Sequence, residues 1–120
     1  MTTTPTAEAA IREHVRAFNE GDLPALLGGF AEDAHWLTGR SSARGRAEPE
    51  ELFAGAITAL RPRLTLRHLV ASGDLVAVEL TEALTHDGRE QTYPIAGFFE
   101  LRGGLITSAR IYREGSAELD

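Results

Sequence analysis

The chain contains no cysteine in its 120 residues, which excludes disulfides, thiol nucleophiles and thiolate metal sites together. Positive charge is scarce. Twelve Lys and Arg stand against 18 Asp and Glu, a net charge of −6, and a surface that engages phosphates would need the opposite balance. Nucleic acid is therefore not an expected partner. No apolar run approaches the length that spans a bilayer, so no membrane partner is expected either. Met1-Thr-Thr-Thr-Pro-Thr6 lacks the basic and then apolar blocks of a secretory leader, so the expected location is the cytoplasm. The four histidines show no His-x-x-x-His spacing, and neither a glycine-rich nucleotide loop nor a nucleophile-elbow serine occurs. No metal and no cofactor is implied. There is no internal repeat, and the only low-complexity stretch is the threonine-rich start, expected to be loose over residues 1–6.

What is present suffices for one domain over residues 1–120: 42% of residues are hydrophobic and 25% charged, the balance of a soluble globular protein. Thr4 and Pro5 are placed as N-cap and first helical position of a helix that Gly21 ends. Ile11, Val15 and Phe18 form its apolar stripe, which carries His14 inward. Asp22 caps a second helix ending near Gly28-Gly29 or at Glu32-Asp33, and His35 to Thr38 is a short strand. A loop, Gly39 to Arg46, precedes a third helix expected from Pro49 until Pro62 stops it.

The remainder is β. Arg63 to Ala71 alternates so that Leu64, Leu66, His68 and Val70 share a face; Ser72-Gly73-Asp74 turns; Leu75 to Thr85 returns. After a turn at His86 to Arg89, a long hairpin closes through Arg102-Gly103-Gly104. Tyr93, Ile95, Gly97, Phe99 and Leu101 line one side of its first strand. Thr107, Ala109 and Ile111 line one side of the second, with Ile106, Ser108, Arg110 and Tyr112 on the other. Large rings mixed with Gly97, Thr107 and Ala109 leave volume unfilled, which suits a pocket. The expected class is α+β, with three N-terminal helices covering one face of a curved, mainly antiparallel sheet.

Within that frame Glu82 stands out, because Val76, Val78, Leu80 and Leu84 share its face and a carboxylate there is costly unless paired or used. Burial raises such a pKa toward proton transfer near neutral pH; the alternatives are an arginine salt bridge or a place in water at the mouth of the fold. His14, His68 and Tyr93 are the other catalytic candidates, two imidazoles that titrate near working pH and a phenol facing the cavity, each with core packing as its plain alternative. Trp36, Phe18, Phe53 and Phe99 are candidate pocket walls, with Thr38 beside Trp36 on the early strand. His35 and His86 look exposed. Arg40, Arg44 and Arg46 offer an anion clamp, but without a helix N-terminus or a glycine nest a solvated loop is the simpler reading.

Phe18-Asn-Glu-Gly-Asp22, Phe30-Ala-Glu-Asp-Ala34, Arg44-Gly-Arg46 and Gly97 to Thr107 running into Ala109-Arg-Ile-Tyr112 resemble the nuclear transport factor two-like superfamily. Ketosteroid isomerases, limonene-epoxide-hydrolase-like enzymes and SnoaL-like polyketide cyclases share that cone-shaped α+β fold. The resemblance implies a cavity between helices and concave sheet, and a homodimer through the outer face, where Pro94, Ala96 and Phe98 lie. Isomerase-like members place a general-base aspartate at the position of Thr38, an oxyanion-binding tyrosine at His14 and a neutral acid at Gly97. Epoxide-hydrolase-like members carry arginine, an acid and an aspartate at Leu80, Glu82 and Ile111, and the cyclases place an aspartate near Ile111. Only Glu82 and His14 keep a titratable group.

The expected activity is thus cofactor-independent proton transfer that isomerises or cyclises a hydrophobic, polyketide-like natural product, with epoxide opening as a variant. Glu82 serves as acid/base, and His14, Tyr93 or His68 assists. The alternative is a binding or dimerisation module, for which Glu82 would be tied in a salt bridge and the pocket filled by side chains.

Overall fold

The computed structural model describes residues 5–38 and 41–113. Three helices, α1 (Ala7–Glu20), α2 (Leu23–Gly28) and α3 (Ala47–Leu60), combine with six strands: β1 (Phe30–Thr38), β2 (Ser41–Arg44), β3 (Arg63–Ser72), β4 (Leu75–His86), β5 (Arg89–Arg102) and β6 (Leu105–Arg113). The strands form one sheet in the order β2-β1-β6-β5-β4-β3. All neighbours run antiparallel except β1 and β6, so the sheet is mixed and unclosed. The α+β class expected from the pattern is what forms.

The cap of α1 is Thr6, whose side chain accepts from the Ala9 amide at 3.1 Å; Thr4, the expected cap, lies outside the described residues, as does most of the threonine-rich start. Gly21 ends α1 at φ 66°, a left-handed conformation that glycine adopts without a Cβ penalty. Asp22 then accepts from the Ala25 amide and caps α2 as expected, and α2 stops at Gly28-Gly29. Asn19 clips α1 to β3 by accepting from the Leu64 amide at 2.6 Å and donating to the Leu64 carbonyl at 2.9 Å. The third helix opens two residues earlier than expected, at Ala47, with Pro49 buried inside its first turn.

Two expectations about the early strands are corrected. The strand at His35 to Thr38 begins at Phe30, and the segment read as a loop contains β2, which pairs with β1 from His35↔Arg44 to Thr38↔Ser41. Polar Ser41 and Ser42 conceal an edge strand, in which Ala43 is buried while Ser42 and Arg44 are exposed.

Two register shifts correct the alternation. Between Leu66 and His68 the ladder to β4 slips, leaving Arg67 as the extra residue, and the face inverts beyond it. Leu69 therefore turns inward, while Val70 is 68% exposed and His68 faces solvent. A second shift, between Glu100 and Leu101, pairs Leu101 with Ile106 and leaves Thr107 extra, its hydroxyl donating to the Glu100 carbonyl at 3.0 Å. Ile106 is consequently core rather than outer face. The hairpin itself closes where expected, at Gly103 and Gly104 with φ 59° and 79°.

The core lies between the helices and one sheet face. Ile11 and Phe18 of α1 and Phe53 of α3 meet Trp36 of β1, Val76 of β4 and Phe99 of β5. On the opposite face Phe98 and Tyr112 are 47% and 55% exposed, their rings edge to face at 6.2 Å. Among the described residues no helix is long and apolar enough to cross a membrane.

Candidate functional site

A hollow of about 100 Å³, partly open to solvent, lies between α1, α3 and the sheet. His14, Phe18 and Phe53 line it from the helices, and Trp36, Leu80, Phe99 and Ile111 from the strands. Thr38, Leu52 and Leu64 are half-buried lining residues and so form its rim. The surface is apolar apart from a few groups, the composition of a small-molecule site.

Glu82 projects into this hollow from β4, between Leu64 on β3 and Tyr93 on β5 in the ladder, and is only 4% exposed. Desolvation holds its carboxyl above the usual carboxylate range, and the positive charge of Arg113 pulls it part of the way back. The Nη2 atom of Arg113 lies 2.7 Å from Glu82 Oε1. The contact lacks the alignment of a hydrogen bond, for Oε1 has no hydrogen-bond partner; charge attraction, not a shared proton, joins the two groups.

His14 faces the same hollow from α1 and sits among rings: Trp36 and Phe99 at 5.6 Å between centroids, Phe30 at 5.8 Å and Phe53 at 6.3 Å. This apolar surrounding penalises the imidazolium and lowers the pKa to about 4, so the ring is neutral at pH 7. Its Nδ1 is buried and unpartnered. Arg113 Nε is in the same condition, so His14, Glu82 and Arg113, each holding an unsatisfied buried polar atom, all border one cavity.

Other expected residues fall elsewhere. His68 lies on the outside, its Nδ1 2.7 Å from Glu79 Oε1, because the slip at Arg67 turned it out. Tyr93 is half-buried beside Glu82 in the ladder, but its hydroxyl donates to Gln91 and the cavity wall does not include it. Gly97 is buried behind the wall: a Cβ there would meet Ile111 Cδ1 and Phe99 Cε2 at 3.1 Å and Val78 Cγ2 at 3.2 Å. His35 is half-buried with Nε2 2.8 Å from Ser42 Oγ, and the side chain of His86 lies outside what is described. Arg40 lies outside the described residues, while Arg46 donates to the Phe30 carbonyl.

The sequence reading missed Arg113. The signal was available, since Ala109, Ile111 and Arg113 continue one alternation, and Arg113 stands opposite Ile95, itself a cavity residue. Among the described residues no cluster of side chains could hold a metal ion.

A SnoaL-like domain family matches residues 11–109. Solved structures resemble the chain along most of its length. The epoxide hydrolase/cyclase-like enzyme SalBIII, described with a role in pyran ring formation in the polyether salinomycin, is 28% identical with TM-score 0.82, covering 89% of each chain. An LEH-like epoxide hydrolase of M. tuberculosis is 23% identical with TM-score 0.82, over 90% of this chain and 82% of that one. A Catenulispora acidiphila protein with a ketosteroid isomerase-like fold, in complex with trimethylamine, is 22% identical with TM-score 0.83, over 96% and 90%. No curated protein matches. Since the family match spans residues 11–109, nearly the full length of the fold, the chain belongs to the SnoaL-like domain family.

Proposed function

We propose that the protein is a cofactor-independent acid–base enzyme that isomerises or cyclises a hydrophobic natural-product intermediate. The observation that carries this reading is the concentration of His14, Glu82 and Arg113, with their unsatisfied buried atoms, around one otherwise apolar hollow. Leaving a buried polar atom unpaired costs roughly 1–3 kcal/mol, so His14 Nδ1 and Arg113 Nε, beside a Glu82 Oε1 held by charge alone, favour a ligand that pairs them. In the reaction, carboxylate Glu82 takes a proton from the carbon beside a ligand carbonyl and returns it elsewhere. In its acid form it protonates an epoxide or carbonyl oxygen while a hydroxyl within the ligand closes the ring and returns its own proton to the Glu82 carboxylate. Arg113 balances the carboxylate charge, and neutral His14 offers a ring nitrogen to a ligand oxygen. Exclusion of water strengthens each of these contacts.

The Glu82–Arg113 contact favours a second reading, a cavity that binds a ligand without turnover. Screening polycyclic and polyene metabolites by thermal shift, followed by turnover of each ligand found, separates the two. The enzyme reading requires that at least one stabilising ligand be converted and that Glu82→Gln abolish conversion while the melt stays cooperative. Stabilisation without conversion of any ligand leaves the binding reading.

A further inference from the structure

We infer that Glu82 and Arg113 together form a recognition site for a hydroxyl group, an alcohol, phenol or enol, on an apolar single-ring portion of the ligand. The inference rests on the reading above only in taking the hollow as the ligand site. It follows from the positions of two unsatisfied atoms, the acceptor Glu82 Oε1 and the donor Arg113 Nε, both on residues bordering the cavity.

Arg113 Nη2 is 2.7 Å from Glu82 Oε1. Within the planar guanidinium Nε and Nη2 are about 2.3 Å apart, so the donor Nε and the acceptor Oε1 lie no more than about 5 Å from one another. One oxygen atom bonded to both needs contacts of about 2.7–2.9 Å, which a separation of that size permits. A group that donates and accepts at a single atom satisfies the pair from one point of contact. A hydroxyl does so: its hydrogen goes to the Glu82 carboxylate, and a lone pair accepts from the Arg113 N–H. An ether lacks the hydrogen and leaves Oε1 unpaired.

Charge excludes the ionic alternatives. The Glu82–Arg113 pair is neutral as a unit and burial keeps His14 uncharged, so these three groups supply no net charge to compensate a buried ion. A ligand carboxylate would also sit against Glu82, and an ammonium against Arg113. Size limits the enclosed portion to one ring at most, since a cavity of 150 Å³ accommodates benzene and this hollow, open on one side, measures about 100 Å³. Both atoms are shielded from bulk water, and Arg113, whose side chain keeps 18% exposure, is the group with room to turn as the ligand enters.

Phenol, anisole, benzoate and benzylamine form a matched series for titration by NMR shift changes at pH 7. Phenol is expected to bind about tenfold more tightly than anisole, the margin of one hydrogen bond left unmade, and more tightly than either ion. Arg113→Lys keeps a positive charge beside Glu82 but removes the Nε donor, and should bring phenol and anisole within about twofold. Glu82→Gln, whose amide can donate to an ether, should narrow the same gap from the other side. Anisole, benzoate or benzylamine binding as well as phenol to the native protein, or no phenol binding by about 10 mM, overturns the inference whether or not the variants fold. Benzoate preference would leave proton transfer by Glu82 standing. Phenol selectivity in a protein that turns nothing over would leave the hydroxyl site and remove the enzyme.

Discussion

Arg113 and Glu82 meet across an intervening strand: Arg113 stands opposite Ile95 in the β5–β6 ladder, and Glu82 lies on β4, two strands from its partner. Two strand spacings are about 10 Å, a span that the long arginine stem covers by lying over the strand between. The ion pair thus joins β4 to β6 inside the concave face, where water is largely excluded and each partner holds the other's charge.

Removing one partner exposes that dependence. Arg113→Met should destabilise the fold by about 2 kcal/mol at pH 7, less than for a fully buried pair because the arginine retains some exposure. The Glu82 pKa is raised in the folded state, so ionising the carboxyl costs stability as pH rises through that value, and without Arg113 the cost is larger. Urea unfolding of variant and wild type should therefore show a gap that narrows as pH falls toward the ordinary carboxylate range. A gap independent of pH would contradict the coupling.

His14 gives the opposite sign. Its folded pKa of about 4 lies below its ordinary 6.5, so below pH 6.5 the unfolded chain takes up a proton that the folded one refuses. Stability falls between about pH 6.5 and pH 4, by on the order of 3 kcal/mol from this group, against the gain from Glu82. His14→Phe should flatten that decline in a pH series of urea melts. An unchanged slope would mean that the imidazole protonates readily in the fold.

At Gly97 neighbouring side chains already fill the place of a Cβ. Gly97→Ala puts a Cβ 3.1–3.2 Å from Ile111, Phe99 and Val78, all of which line the hollow. The expected result is a loss of about 1 kcal/mol, the lower end for overpacking, and several-fold weaker binding of any ligand found by screening. Equal affinity in the variant would place the ligand elsewhere.

The outer face is where the family resemblance implies a homodimer. Phe98 and Tyr112 expose large parts of their rings side by side, an apolar patch that a second copy would cover. Sedimentation should give a dimer for the wild type and a monomer for Phe98→Asp. A wild-type monomer at about 100 μM would remove the proposal.

Much of this geometry was legible in the chain. Inward placement of Glu82 follows from Val76, Val78, Leu80 and Leu84 at its sides, and that of His14 from helical spacing with Ile11 and Phe18. What misled was parity. A strand alternates until a residue is inserted, and nothing in Leu66-Arg67-His68 announces the extra residue that turns His68 out and Leu69 in. Thr107 has the same effect on Ile106. Strand β2 escaped notice because in an edge strand of two serines, one alanine and one arginine a single buried Ala43 makes no apolar face to declare it. Arg113 was overlooked because a charged residue at a strand end reads as surface, and only its reach over β5 brings it into the hollow.

Proton transfer by Glu82 is tested most directly without knowing the substrate. A small enolisable single-ring ketone such as cyclopentanone, held in heavy water with catalytic protein, exchanges its α-hydrogens at a rate that NMR follows. Wild type should accelerate exchange over buffer, and Glu82→Gln should lose about 100-fold or more of that acceleration, the usual contribution of a positioned general base. Equal acceleration by the two proteins, or none by either, would contradict an acid–base role for this carboxylate.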